Sequence, residues 1–344
     1  MLSLIWFILI LGSIVAIHEF GHFIFAKMAN IYVYEFSIGM GPRLFKWKRK
    51  NDETEYSIRL FPIGGYVSLA GEEEERNPDV PKGRTLQEIS FFKKFMITIA
   101  GVINNFILSI FLLFIIGLFT GYNSSSLVIT KVRDDGNAYN AGIVEGDKIT
   151  KVNHHFVNND DKLLLELQLV GDDVTLTLEN NGQERDVVLK NSKIEVDGQV
   201  KYDFGFSLDD HNELGFIAAI KYAFTKFFAL FEQMIFILWY LITGKIGLNS
   251  LSGPVGIYVI VGTAAKQGFL NIIYLMAYLS LNVGIVNTLP FPAFDGGRAF
   301  IYIVEKISGR KIEQRKENIV NTIGFILLML LMVFVTIKDI FNLI

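Results

Sequence analysis

The chain of 344 residues contains no cysteine. Disulfides and thiolate metal sites are thereby excluded, and any zinc must be held by imidazole and carboxylate. Charge is scarce as well: 19% of the residues are Asp, Glu, Lys or Arg, against 51% hydrophobic, with a formal net charge of −3. No basic arm interleaved with aromatic residues is present, which sets nucleic acid aside as a partner. Paired inverted repeats, the mark of many ion transporters, are absent too. What remains is a composition suited to a membrane.

Four segments are long and apolar enough to cross a bilayer: residues 1–27, 93–121, 269–290 and 319–338. The first lacks a basic n-region and a small-residue cleavage site before Lys27, so it is expected to be a retained anchor, not a signal peptide. A further stretch, Phe216 to Thr243, carries Lys221, Lys226 and Glu232 and suits a helix lying in the membrane interface. The loops at Arg43 to Lys50 and Arg298 to Lys316 are strongly basic and are expected in the cytoplasm. Joining them through 93–121 requires an odd number of crossings before Arg298. With 269–290 as the better span, Phe216 to Thr243 is left on the outer surface, giving four crossings with both termini outside.

His18, Glu19 and His22 stand inside the first apolar stretch. Histidines at i and i+4 share one helical face and can hold one zinc ion, with the intervening carboxylate beside an open coordination position. An ionisable group at the bilayer centre costs about 2.5 to 3.5 kcal/mol on insertion scales, so Glu19 needs a compensating partner. A catalytic zinc site also needs a third protein ligand. His154, His155 and His211 are in or beside the soluble outer segment, whereas His22 lies about 7 Å of helical rise before Lys27, toward the cytoplasmic end. The third ligand is therefore sought at the inner end of another span, where Asn287-Thr288-Leu289-Pro290-Phe291-Pro292-Ala293-Phe294-Asp295-Gly296-Gly297 supplies Asp295. Two prolines break the helix there, and the two glycines permit backbone geometry that β-carbons forbid. The competing reading makes Asp295 the cap of the next helix. With zinc in place, Glu19 takes a proton from water and returns it to a leaving amine, which is peptide hydrolysis within the membrane. Asn287 either hydrogen-bonds substrate main chain or a developing oxyanion, or packs one helix on another.

The segment Tyr56 to Ala70 alternates on both sides of Pro62-Ile63-Gly64-Gly65 and reads as a β-hairpin. It is either an ordinary loop hairpin or a backbone that dips toward the site and pairs with a substrate strand. From Asn123 to about Leu208, short alternating runs separated by Gly, Asn and Asp turns indicate a small soluble β-rich domain. Within it, Asn137 to Asn153 has a Gly146-Asp147 turn before a strand ending in Val152-Asn153. That pattern resembles the signature of a PDZ domain, a module that binds extended peptide by strand addition. One copy is present.

In order along nearly the whole chain, His18 to His22, Phe36-Ser37-Ile38-Gly39-Met40-Gly41-Pro42, Pro62 to Val67, the 137–153 signature, Ser252-Gly253-Pro254-Val255-Gly256-Ile257 and Asn287 to Gly297 form a specific set. The set resembles the site-2 protease family of intramembrane zinc metalloproteases, in its bacterial RseP and RasP branch. The resemblance implies a polytopic α-helical membrane protein with four transmembrane helices, a membrane-associated β-hairpin at 56–70 and one inserted extracytoplasmic PDZ domain (α+β). Its implied organisation is a first half of the protease core at 1–121, the PDZ domain at 122–208, interfacial amphipathic helices at 209–268 and the second half of the core at 269–344. It further implies that Zn2+ is bound by His18, His22 and Asp295, that Glu19 is the catalytic base, and that Asn287 and Pro290 place the substrate. The hairpin, with Gly64, Gly65 and Tyr66, is implied to guide unwound substrate.

Implied substrates are single-span membrane proteins already cut outside, including anti-sigma factors and signal-peptide remnants. The PDZ domain is implied to contact extracytoplasmic peptide or chain ends. The implied location is the bacterial cytoplasmic membrane, with termini and PDZ domain outside and the active site toward the cytoplasm. Val102 departs from the family in standing where Ala100 to Phe106 is expected to carry Pro. A reading from another class is a membrane scaffold whose PDZ domain recruits chain ends over a vestigial zinc site. Another is an ion transporter using the intramembrane His and Glu.

Overall fold

The computed structural model describes residues 2–72, 80–124, 126–157, 162–163, 166–167, 173–190, 193–196, 199–202, 204–209, 211–247 and 251–342. Parts of the expected 122–208 domain thus lie outside the described residues. The chain divides into two units, Met1–Leu113 with Leu230–Ile344, and Phe114–Ala229.

The first unit is built on α1 (Leu2–Met28) and α2 (Phe91–Thr120), two apolar helices free of proline. They pack antiparallel, because small residues let the backbones meet: a β-carbon on Gly21 would strike the Ala100 carbonyl. Asn104 Nδ2 reinforces the contact by donating to the Ile17 carbonyl at 3.1 Å. Lys27, in the last turn of α1, donates to Asp52 Oδ1 at 2.7 Å and Glu53 Oε1 at 2.8 Å, which ties the helix end to a polar turn.

That turn joins β1 (Val33–Lys48) to β2 (Glu55–Leu69). Both strands are too long to stay straight and fold back on themselves. Phe36 pairs with Val67 on one side and Tyr56 on the other, while Trp47 also pairs with Tyr56. The result is a curled sheet in the order 65–69, 33–38, 55–59, 43–48. The expected hairpin at 56–70 is therefore corrected. Pro62 to Gly65 bends a continuous β2, and the two flanking segments do not pair with each other, because Val33 to Ile38 lies between them. Gly39, Gly41 and Gly64, at φ 89°, 86° and 104°, supply the bends.

The rest of the unit is helical: the second half of α4 (Phe216–Ile242), then α5 (Pro254–Gln267), α6 (Phe269–Thr288), α7 (Asp295–Ser308) and α8 (Gln314–Phe341), the short α3 (Asn137–Asn140) belonging to the other unit. α5 runs counter to α1, with Tyr258 edge-on to Phe7 at 5.9 Å and Gly262 beside Ser3. α6 runs parallel to α1, since Phe269 meets Trp6 at one end and Asp295 meets His18 at the other. Among the described residues, five helices, α1, α2, α4, α6 and α8, are long and apolar enough to cross a membrane by length and composition.

α4 packs along α2. Ala219 and Tyr222 cover Gly117, and Phe231 meets Phe106 edge-on at 6.1 Å. α5, whose 14 residues are fewer than a span needs, then returns along α1.

The second unit holds a four-stranded sheet in the order β4 (His155–Phe156), β3 (Lys148–Val152), β5 (Asp173–Asn180), β6 (Gln183–Lys190). Ile149, Leu176, Leu178 and Leu189 are fully buried at its centre. Asp147 is buried as well, accepting from Val144 N at 2.9 Å and from the Arg185 guanidinium. Gly146, at φ 90°, makes the turn that places Asp147 immediately before β3.

Candidate metal centre

α1 presents His18 and His22 one turn apart, and the turn after α6 carries Asp295 to meet them. Asp295 Oδ2 lies 3.0 Å from His18 Nε2 and 3.3 Å from His22 Nε2, and the two Nε2 atoms are 3.2 Å apart. Bonds of about 2.0 Å in a tetrahedral zinc site place neighbouring ligand atoms about 3.3 Å apart, so this triangle has the right size. Proton bookkeeping agrees. His22 Nδ1 donates to the Ile97 carbonyl at 2.8 Å, which leaves Nε2 with its lone pair. Asp295 Oδ2 is buried without a hydrogen-bond partner among the described residues. Acceptors gathered at such distances repel, and one divalent cation satisfies all of them where a proton satisfies a single contact.

Close backbone approach builds the triangle. A β-carbon on Gly296 would strike the Thr288 and Leu289 carbonyls, and one on Gly297 the Phe291 carbonyl. Neither glycine has positive φ; they are required for contact, whereas Ala293, at φ 75°, takes the left-handed conformation in the same turn. Phe294 precedes the first residue of α7, and no side-chain cap is formed there. The Asp295 carboxylate is turned to the imidazoles.

A cavity of about 360 Å³ opens beside the triangle. Glu19, Tyr66, Asn287, Arg298 and Tyr302 line it together with His18, His22 and Asp295. Gly65 closes against Glu19, where an added β-carbon would lie 3.3 Å from Glu19 Cγ. Three sequence-derived candidates are not brought to the cavity lining: Pro290 is exposed in the turn after α6, Gly64 faces Met40, and Gly65 borders Glu19 without lining the cavity.

Behind Tyr66 the sheet is locked by a buried carboxylate. Glu35 accepts from Ser57 Oγ at 2.6 Å, Tyr66 Oη at 2.6 Å, Arg59 at 2.9 Å and Arg43 at 2.7 Å. Burial alone pushes the Glu35 carboxyl up, but hydrogen bonds from Ser57, Tyr66 and Arg59 outweigh it and hold the group down at about 2.

Residues that the sequence reading did not single out complete the centre. Gly101 of α2 packs against both imidazoles, and Asn105, one turn on, reaches His18 Nδ1 at 3.1 Å. Their i, i+4 spacing on α2 mirrors that of the histidines on α1, a signal visible only once the two helices are paired.

Residues 6–331 match peptidase family M50. This chain belongs to that family. It is 38% identical over 336 residues to a Clostridium acetobutylicum protein named as a zinc metalloprotease, covering 97% of this chain and 96% of the other. It is 31% identical over 414 residues to the zinc metalloprotease RasP of Geobacillus kaustophilus, covering 98% and 97%. To the regulator of sigma-W protease RasP of Bacillus subtilis it is 31% identical over 425 residues, covering 98% of both chains. This M50 protein is accordingly a zinc metallopeptidase of the RasP-like, membrane-embedded kind.

Proposed function

We propose that this M50 peptidase hydrolyses peptide bonds inside the transmembrane segments of single-span membrane proteins that have already been trimmed on the outer side. The observation that carries this reading is the convergence of His18, His22 and Asp295 on one point of a cavity shared with Glu19 and the edge of β2. In this reading the three residues hold zinc, which when bound supplies Lewis acidity to water and to the scissile carbonyl. Glu19 accepts the proton of the attacking water and passes it to the leaving amine. Asn287 binds substrate main chain across the cavity, and Pro290 acts from outside the lining by stiffening the turn that delivers Asp295.

Substrate enters as an extended strand. A helix in a bilayer must be unwound before it is cut, and its freed amides and carbonyls need partners. Gly65 to Leu69 forms an edge of the curled sheet, paired on one side with Val33 to Ile38, and Tyr66 on that edge lines the cavity. Strand addition there, with Gly64 shaping the bend and Gly65 leaving room at Glu19, brings a peptide bond to the centre.

The proposed topology has four net crossings, by α1, α2, α6 and α8, while α4 and α5 enter and return from the outer side. Both termini and the β-rich domain, read as a single PDZ module that contacts outer peptide or chain ends, are extracytoplasmic. The centre lies toward the cytoplasmic face of the bacterial cytoplasmic membrane. Anti-sigma factors and signal-peptide remnants are the proposed substrate classes, in keeping with the name of the Bacillus subtilis relative, regulator of sigma-W protease.

The test is cleavage of a pre-trimmed single-span substrate by purified protein in detergent. The expected result is cleavage abolished by a zinc chelator and lowered about 100-fold or more by Glu19→Gln, with the variant's fold and zinc content unchanged. Unaltered cleavage by Glu19→Gln overturns the mechanism. A full zinc complement in Asp295→Asn removes that residue from the ligand set.

A further inference from the structure

Asn105 is fully buried on α2, and its amide lies 3.1 Å from His18 Nδ1 through Nδ2. Its Oδ1 has no hydrogen-bond partner among the described residues. The orientation is chemically informative. For His18 to offer the Nε2 lone pair at the triangle, Nδ1 must carry the ring proton, and two donors then face each other. Turning the amide by half a revolution exchanges two atoms of equal size and places Oδ1 where it accepts the Nδ1 proton. His22 already shows the equivalent arrangement, with Nδ1 donating to the Ile97 carbonyl at 2.8 Å. The site would then hold each imidazole by its far nitrogen, one through backbone and one through a side chain.

We propose that Asn105 is a positioning residue that accepts a hydrogen bond from His18 Nδ1 through Oδ1, fixing the tautomer and ring orientation with which His18 binds zinc. Three observations support it. The side chain is fully buried and its backbone is pinned to α6, since Ser280 Oγ donates to the Asn105 main-chain carbonyl at 2.9 Å. Gly101, one turn away, holds α2 so close to α1 that the amide reaches the ring directly. Outer partners of this kind orient metal-bound histidines, and their loss weakens metal binding about 10- to 100-fold.

The proposal rests on the reading of His18 as a zinc ligand, and the experiment separates the two. Zinc dissociation constants are measured by chelator competition for the full chain in detergent and for His18→Ala, Asn105→Leu and Asn105→Asp. The melting temperature of each metal-free protein is recorded alongside. The expected result is binding weakened about 10- to 100-fold in Asn105→Leu and restored to at least the native strength in Asn105→Asp, which keeps an acceptor at that position. A role in packing alone predicts the reverse order, because Leu fills the space and a buried carboxylate does not. Asn105→Leu binding zinc as tightly as the native chain, or Asn105→Asp as weakly as Asn105→Leu, overturns the assignment of Asn105. Unchanged zinc binding in His18→Ala overturns the metal centre itself. Should Asn105→Leu fail to fold, nitrogen-15 NMR of the zinc-loaded native and Asn105→Asp proteins decides: a His18 Nδ1 proton protected from solvent exchange and moved downfield in Asn105→Asp is expected, and one that exchanges freely or does not move refutes the hydrogen bond.

Discussion

A methyl group added at Gly101 would stand 2.5 Å from His22 Nε2 and 2.6 Å from His18 Nε2. The rings cannot yield without leaving the triangle, because Ile97 and Asn105 hold their other nitrogens. Gly101→Ala is therefore expected to lower zinc content well below one per chain, measured by metal analysis, while far-ultraviolet circular dichroism stays native. Glu35 is a second residue with a calculable response. Its folded value of about 2 lies below the ordinary 4.5, so the stability it contributes is fully present above about pH 4.5 and is lost as pH falls through about 2. The melting temperature of Glu35→Gln is expected to lie below the native value at pH 7, with the gap narrowing as the buffer is taken toward pH 3. A constant gap would remove the ionised carboxylate as its source. At this scale His18, Glu19 and His22 were legible because their spacing is local to one helix. Gly101, Asn105 and Glu35 act through contacts with other segments, and the sequence alone does not say which segments meet.

Elements show the same division. α1, α2, α6 and α8 were legible from uninterrupted hydrocarbon, and their ends fall within a few residues of the expected ones. β1 and β2 were misjudged, since alternation around Pro62 to Gly65 also suits a bend in one long strand, and only pairing with Val33 to Ile38 distinguishes the two. α5 was not recognised as a separate helix because 14 residues fall short of a span. Its start at Ser252-Gly253-Pro254 is now explained. Asp339 of α8 accepts from Gly253 N and Gly256 N at 2.8 Å each, and Lys338 donates to the Leu251 carbonyl. A carboxylate from a distant helix thus caps α5, and the glycines are needed because a β-carbon on Gly256 would approach Asp339 Oδ2 to 2.9 Å. Asp339→Ala is expected to cost about 0.5 to 2 kcal/mol, the ordinary worth of a cap, read as a lower melting temperature. It should leave zinc affinity unchanged, since none of these groups lines the metal cavity. Loss of zinc in that variant would mean that α5 also shapes the centre.

For the whole molecule the decisive quantity is the side of the membrane on which each loop lies. The convergence of α1 and α7 constrains it: His18 and Asp295 are in contact, so α6 must deliver its end to the depth that α1 reaches at His18. With α6 parallel to α1 and α2 antiparallel to it, the path from Thr120 to Phe269 begins and ends on the same side, whatever depth α4 reaches. The basic loops at Arg43 to Lys50 and Arg298 to Lys316 then share the opposite side, which is the cytoplasmic one in the proposed topology because of their excess of Lys and Arg. A chain without cysteine is suited to the test, because each introduced thiol is the only one present. In intact cells a membrane-impermeant maleimide is expected to label Ser207→Cys, in the β-rich unit, and to spare Arg310→Cys until the membrane is permeabilised. A cysteine at Thr243, at the end of α4, reports how deeply the α4 and α5 pair enters. Labelling of Thr243→Cys from outside places that turn near the outer surface, and labelling only after permeabilisation places it across the bilayer, with α5 and the residues before it making the return. Labelling of Arg310→Cys in intact cells would place the loop at Arg298 to Lys316 outside, and with it the loop at Arg43 that shares its side, and the proposed orientation would fall.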